Sequence, residues 1–167
     1  MNSVLLNKMM YAIGLKDYSE YEMYNKFAKL ESKKPNSIGV KEKLYAKEDI
    51  NEAIAYLKEL SYISDERYCE SYIRYGMARK WGLSKIKQKL TFEKKISKDI
   101  IEEKISILEI NEVDIIVKLL ETKFRNKDLK DMKIKSKAYR FLMSKGFNGG
   151  DISKALKIDE NNEDGDY

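Results

Sequence analysis

Apolar residues recur along this chain at steps of three and four, the period of a helix with one buried face. The pattern predicts a first helix over about residues 3–13. A second opens at Ser19, where Ser19-Glu20-Tyr21-Glu22 reads as a capping box, and carries Met23, Phe27 and Leu30. Residues 31–47 break the period, and Ser32, Pro35, Asn36, Ser37 and Gly39 predict a loop there. The third helix carries Ile50, Ile54, Leu57 and Leu60. Ser64 caps the fourth, Asp65 and Glu66 suit its positive N-terminal end, and Tyr68, Cys69, Tyr72, Ile73 and Met77 form its apolar face. After the break at Gly82 a short fifth helix carries Leu83, Ile86 and Leu90. Ser97 caps a sixth with Ile100, Ile101, Ile105 and Leu108, and Asn111 a seventh with Ile116, Leu120 and Phe124. The eighth, with Ile134, Ala138, Phe141 and Leu142, stops at Gly146, and a brief ninth holds Ile152, Ala155 and Leu156. No alternation of strand type longer than four residues survives, and one proline among 167 residues leaves little to interrupt helices.

Nine helices invite a search for repeats. Phe147-Asn148 followed by Ile152 and Leu156 matches Ile96-Ser97 followed by Ile101 and Ile105 at a shift of 51 residues. Met23-x-x-Lys26-Phe27 in the first unit corresponds loosely to Ile86-x-x-Lys89-Leu90 in the second. The fold class read from this is all-α: three tandem three-helix repeat units forming an elongated, curved helical array. The units are residues 1–60, with a loop insertion at about 31–47, then 61–109 and 110–158. Residues 159–167 form an acidic segment expected to be disordered, since it has nothing aliphatic to bury.

Charge sharpens the picture. The net formal charge is +5, but residues 159–167 hold five acids and no base. Residues 1–158 therefore carry 33 basic against 23 acidic side chains, or +10, a balance that favours nucleic acid or an acidic protein surface as partner. Histidine is absent and Cys69 is the single cysteine. That excludes a histidine general base, a Ser-His-Asp triad, a histidine zinc site and an intramolecular disulfide. No metal, cofactor or enzymatic activity is expected. No apolar run approaches the roughly 20 residues needed to span a bilayer, and the N-terminus lacks a basic start, so the expectation is a cytoplasmic protein without membrane contact.

The most specific stretch is Leu60–Leu90. Asp65-Glu66-Arg67-Tyr68, then Tyr72-Ile73-Arg74, then Gly82, Ile86 and Leu90 resemble the central signature of the RecX family of recombination regulators. Ala138–Phe147, followed by Ile152, Ala155 and Leu156, resembles its closing element, in which a basic residue, Gly146 and Phe147 join the last two helices. Lys95 stands where the family often has glycine, and the segment around residues 33–47 lengthens the first unit. The resemblance implies tandem three-helix units and a non-enzymatic regulator. It implies binding to the RecA protein filament on single-stranded DNA and inhibition of RecA recombinase and coprotease activity in recombination, repair and the SOS response. A monomer is expected. The reading that competes with it is a general helical-repeat DNA-binding protein that does not depend on RecA.

Two basic blocks supply the candidate partner- and DNA-binding residues. Residues 74–98 hold nine basic side chains against Glu93 alone. From this block Arg74, Arg79, Lys80, Lys85, Lys87 and Lys89 are candidates, with Trp81, the single tryptophan, placed to stack on a base or a partner side chain. Core packing is the equally good alternative for Trp81, and a solvated face the alternative for the lysines. In the second block Lys133, Lys137 and Arg140 form a stripe beside Ile134, Ala138 and Phe141. Helical spacing points Tyr68 and Tyr72 to packing roles, and helix capping accounts for Asp65 and Glu66.

Overall fold

Each start signal in the sequence puts a side-chain oxygen on an orphan N–H of a helix's first turn. The computed structural model describes residues 2–32, 41–43 and 45–163. Among them are nine α-helices: α1 (Ser3–Leu15), α2 (Glu20–Phe27), α3 (Lys47–Glu59), α4 (Asp65–Ala78), α5 (Leu83–Gln88), α6 (Lys98–Ile107), α7 (Glu112–Lys123), α8 (Met132–Lys145) and α9 (Gly149–Glu163). The protein is an all-α helical repeat array. Ser19 Oγ accepts from Glu22 N–H, Ser64 Oγ from Arg67 N–H, Ser97 Oγ from Ile100 N–H and Asn111 Oδ1 from Val113 N–H. Only half of the capping box at Ser19 forms, because the Glu22 carboxylate goes instead to Lys94 Nζ, 2.6 Å away. None of the helices is long and apolar enough to cross a membrane among the described residues.

Three features depart from the sequence expectations. The segment read as a loop holds two short antiparallel strands, β1 (Leu30–Ser32) and β2 (Lys41–Lys43), paired Leu30 to Lys43. Backbone groups that leave a helix must find partners, and a ladder supplies them locally. Residues 33–40 and 44 of that insertion lie outside the described residues. The fifth helix continues as one π-helical turn, Lys89–Glu93. Finally, α9 runs on to Glu163, so 159–163 extend a helix where disorder was expected; elongating an existing helix adds one hydrogen bond per residue fixed and needs no new nucleus. The rest of the acidic segment, 164–167, lies outside the described residues.

The chain groups into two compact bodies, residues 1–69 with 94–96, and residues 70–93 with 97–167. The core of the first is built by Leu5 and Met9 of α1, Met23 of α2 and Ile50, Ala53, Ile54 and Leu57 of α3, all essentially inaccessible. In the second, Ile116 and Leu120 of α7 pack with Ala138 and Leu142 of α8, Phe147, and Ile152 and Ala155 of α9. Ile73, Ile86, Leu90 and Ile101 are buried as well.

The 51-residue correspondence holds in geometry. Lys95 and Gly146 both adopt a left-handed backbone, at φ of 56° and 91°. Ser97 and Asn148 both cap the helix that follows, and Ile101 and Ile152 are both buried. Lys95 thus keeps the turn that glycine serves in the third unit, at a backbone cost of roughly 1–2 kcal/mol for a residue with a Cβ.

Candidate partner and nucleic-acid interface

The way α4 ends determines where the tryptophan goes. Lys80 N–H donates to Met77 O and Trp81 N–H to Gly76 O, with Lys80 left-handed at φ 56°. This is a Schellman closure, and it folds the residue after the left-handed position back onto the helix. Gly76 gives that residue room: a Cβ there would lie 3.4 Å from the Trp81 ring and 2.7 Å from Ile86. Trp81 is therefore half-buried, held by its backbone rather than sunk in the core. Phe147 follows Gly146 through the same pair of hydrogen bonds, to Leu142 O and Met143 O, and there the ring is buried.

Around Trp81 the side chains alternate between rings and cations. Tyr75 meets it edge-on at 5.7 Å and 88°, and Tyr72 lies 6.0 Å from Tyr75. Lys85 Nζ sits 5.4 Å and Lys89 Nζ 5.7 Å from the Trp81 ring centre, while the Arg79 guanidinium lies 4.7 Å from that of Tyr75. Such cation–ring pairs are worth about 0.5–1 kcal/mol at exposed sites and hold flexible cations in place. Tyr75 stays 46% exposed, so this cluster offers solvent a ring face bordered by positive charge, as single-stranded nucleic acid sites do. Tyr68, by contrast, is buried, the packing role its spacing implied.

The basic block is less uniformly positive than its sequence window suggests. Arg74 pairs with Glu70 at 2.8 Å, Lys89 with Glu93 at 2.7 Å and Lys87 with Glu102 at 2.8 Å. Glu70 and Glu102 lie outside the window 74–98, which is why counting within it missed them. Glu93 also holds the Lys89 ammonium above its ordinary pKa through their hydrogen bond. Among the described residues no carboxylate pairs with Arg79, Lys80 or Lys85. Of the candidate residues in the block, Arg79, Lys80 and Lys85 are the uncompensated cations, and they stand with Trp81 and Tyr75. Lys133, Lys137 and Arg140 are exposed on α8, in the same compact body. Along the α8 axis Lys133 lies about 18 Å and Arg140 about 7.5 Å from Lys145, from the 1.5 Å rise per residue.

What joins the helices carrying the two blocks was not visible in the sequence. Gly82 N–H donates to Lys145 O at 2.9 Å, and a Cβ on Gly82 would lie only 2.2 Å from the Gly146 carbonyl. In the sequence alone Gly82 marks only a helix break. Next to it, Glu112 at the start of α7 accepts from Leu83 N–H at 2.8 Å and so caps α5, whose own cap position, Gly82, has no side chain. Burial raises the Glu112 pKa and Asp151 adds to the rise, against the opposing pull of Leu83 N–H, Asn148 and Lys87. The first body repeats this arrangement: Asp65, the first residue of α4, accepts from Glu20 N–H at the start of α2 at 2.9 Å. Asp65 therefore serves a neighbouring helix, not only its own. Its pKa is raised chiefly by burial. No group of acidic or cysteine side chains suited to a metal ion occurs among the described residues.

Comparison with known proteins adds a second line of argument. Residues 64–105 match the family described as "RecX, second three-helix domain", and residues 111–156 match "RecX, third three-helix domain". The chain is 32% identical over 162 residues to a Regulatory protein RecX of Actinobacillus pleuropneumoniae, covering 96% of this chain and 95% of that one. It is 28% identical over 157 residues to a Regulatory protein RecX of Haemophilus influenzae, covering 93% and 95%. In fold it is similar to the crystal structure of RecX from Lactobacillus salivarius, with a TM-score of 0.73 at 23% identity over 95% of this chain.

Proposed function

The chain belongs to the RecX family of regulatory proteins, and from that membership we propose that it binds the RecA filament assembled on single-stranded DNA and inhibits RecA recombinase and coprotease activity. It acts as a cytoplasmic monomer and by occupancy alone, without hydrolysing anything itself. The observation that supports this reading best is the Tyr75–Trp81 pair with Arg79, Lys80 and Lys85. A purely acidic protein surface would need the cations but not an exposed ring; a filament offers both acidic side chains and DNA. Arg79 and the lysines attract the filament at a distance, and the rings supply contact once it arrives. The ring-and-cation cluster also fits the second reading, a helical-repeat protein that binds DNA with no need of RecA.

The test is the purified protein added to cognate RecA on single-stranded DNA, following ATP hydrolysis and strand exchange. The expected result is inhibition of both that weakens as salt rises, since exposed charges are screened within about 8 Å at physiological ionic strength. Unchanged RecA activity with the protein in excess, across a range of salt, would refute the proposal. Equal affinity for bare single-stranded DNA and for the filament would favour the second reading.

A further inference from the structure

The middle helices α2 and α8 carry the same face relative to the buried residue of each, Met23 and Ala138, and the structure covers it on α2 and leaves it open on α8. On α2 the face is Glu20, Tyr21 and Tyr24; it lines a cavity of about 320 Å³ with Asp65 and Lys95. On α5 a face turned by one residue relative to the buried Ile86, made of Ser84, Lys85 and Gln88, lines a cavity of about 460 Å³ with Gly146 and Phe147. The covering parts of these two cavities correspond. Lys95 and Gly146 are the left-handed residues 51 apart, and Asp65 and Glu112 are the first residues of the following helices, each capping the middle helix that it reaches.

On α8 the residues that stand to the buried Ala138 as Glu20, Tyr21 and Tyr24 stand to the buried Met23 are Lys135, Ser136 and Tyr139. They line a groove of about 740 Å³ with Met132 and Arg140 of α8 and Leu156 of α9. Its apolar wall is open: Met132 is 72% and Tyr139 37% exposed. Its charged groups, Lys135, Arg140 and Lys157, are all cations.

We propose that this groove is a docking site for an acidic helix of a partner protein, one whose first turn carries Asp or Glu and whose apolar face covers Met132 and Tyr139. Such a helix continues the array as α4 and α7 do, entering with a carboxylate at its N-terminal end. Because Asp131 already caps α8 through Lys133 N–H at 2.7 Å, the incoming acid meets the cations of the rim rather than the helix end. Charge argues against a second copy of this chain as the occupant: α1, the helix a head-to-tail copy would offer, has no acid in its first turn and carries Lys8. The groove's composition argues against single-stranded nucleic acid. Its floor is thioether and aliphatic, which suits an apolar peptide face, and it offers one ring where the Trp81 cluster offers several. The proposal goes beyond the filament reading and stands without it.

The experiment uses the full chain and a fluorescent, side-chain-stapled helix about 14 residues long, near the length at which isolated helices become stable. Its first turn is Ser-Glu-Glu-Glu and it bears leucine and isoleucine on one face. A second peptide has those glutamates replaced by glutamine, and oligo(dT) is the nucleic acid probe. The expected result is saturable binding of the acidic helix, weakened about tenfold by Arg140→Glu, by Met132→Ser and by loss of the peptide's acids, since a lost charged contact of about 1.4 kcal/mol is tenfold in affinity. Both substitutions are at exposed positions, and an unchanged helical spectrum confirms the fold. Absence of binding, equal binding of both peptides, or binding indifferent to the two substitutions would overturn the proposal. So would displacement of the helix by oligo(dT) in a manner abolished by Arg140→Glu, which would assign the groove to nucleic acid. Sedimentation of the protein alone as a concentration-dependent oligomer lost in Met132→Ser would assign it to a second copy.

Discussion

Replacing Gly82 with alanine tests the joint between the second and third helix sets. The added Cβ would lie 2.2 Å from the carbonyl carbon and oxygen of Gly146 and 2.3 Å from Phe147 N. Those are backbone atoms, so no side-chain rotation relieves the overlap; the turn must retreat by more than 1 Å to reach ordinary contact at 3.4 Å or beyond. Retreat breaks the Gly82–Lys145 hydrogen bond, pulls Leu83 N–H from the Glu112 carboxylate and loosens Phe147, which is 2% exposed. Overpacking of this kind costs about 1–3 kcal/mol, and a lost hydrogen bond adds about 0.5–1.5 kcal/mol, more where one partner is charged. The alanine gives back about 0.4–1 kcal/mol through a less free unfolded chain, because Gly82 has an ordinary backbone conformation at φ −75°. The expected net loss is about 2–4 kcal/mol. Urea unfolding followed by far-ultraviolet dichroism and by fluorescence of Trp81, the neighbouring residue and only tryptophan, measures it. A Gly82→Ala protein within about 0.5 kcal/mol of the parent, the range of an ordinary surface substitution, would refute the argument that this backbone contact is close and required.

Glu112→Gln keeps the acceptor for Leu83 N–H but removes titration. Since burial raises the folded pKa of Glu112 above its ordinary 4.5, the folded state holds that proton more tightly, and the parent's stability falls as pH climbs through the interval between the two values. Unfolding curves across that range should therefore show the glutamine variant gaining on the parent toward neutral pH; a constant difference would refute the shift. Glu22 has the opposite sign. Burial pulls its pKa up, but the Lys94 hydrogen bond and charge, with Lys16 and Tyr68, outweigh it, so its stabilising share is lost as pH falls below 4.5, and Glu22→Gln should flatten that loss. Lys95→Gly relieves a left-handed backbone at φ 56° and should stabilise by about 0.5–1 kcal/mol in the same unfolding assay, glycine's added freedom when unfolded offsetting part of the gain. In filament binding, Arg79→Ala and Lys85→Glu should weaken affinity several-fold, whereas Arg74→Ala and Lys87→Ala, whose charges Glu70 and Glu102 already offset, should change it little; the reverse order would place the interface on the paired residues.

Much of the fold is local and was legible for that reason. Nine helices, the caps at Ser19, Ser64, Ser97 and Asn111, and the stop at Gly146 depend on residues within a turn or two of each other, and the 51-residue spacing is a property of the string itself. The positions of Ile86, Ile101, Ala138 and Ile152 in the interior follow from helical period alone. The family resemblance, too, came from the segments at Asp65–Leu90 and Ala138–Leu156. What tertiary structure decided are relations between residues far apart in the chain. A window of sequence can count charges, but only the fold brings Glu102 to Lys87 and leaves Lys85 without an acid among the described residues. It cannot tell that Gly82 is a glycine because another backbone lies 2.2 Å from where its side chain would be. Nor can it tell that Glu112 and Asp65, ordinary first-turn acids by local rules, cap helices 29 and 45 residues away. Local hydrogen bonds and periodicity are written in neighbouring residues. Burial, pairing and close approach are properties of three-dimensional proximity, which sequence separation does not encode.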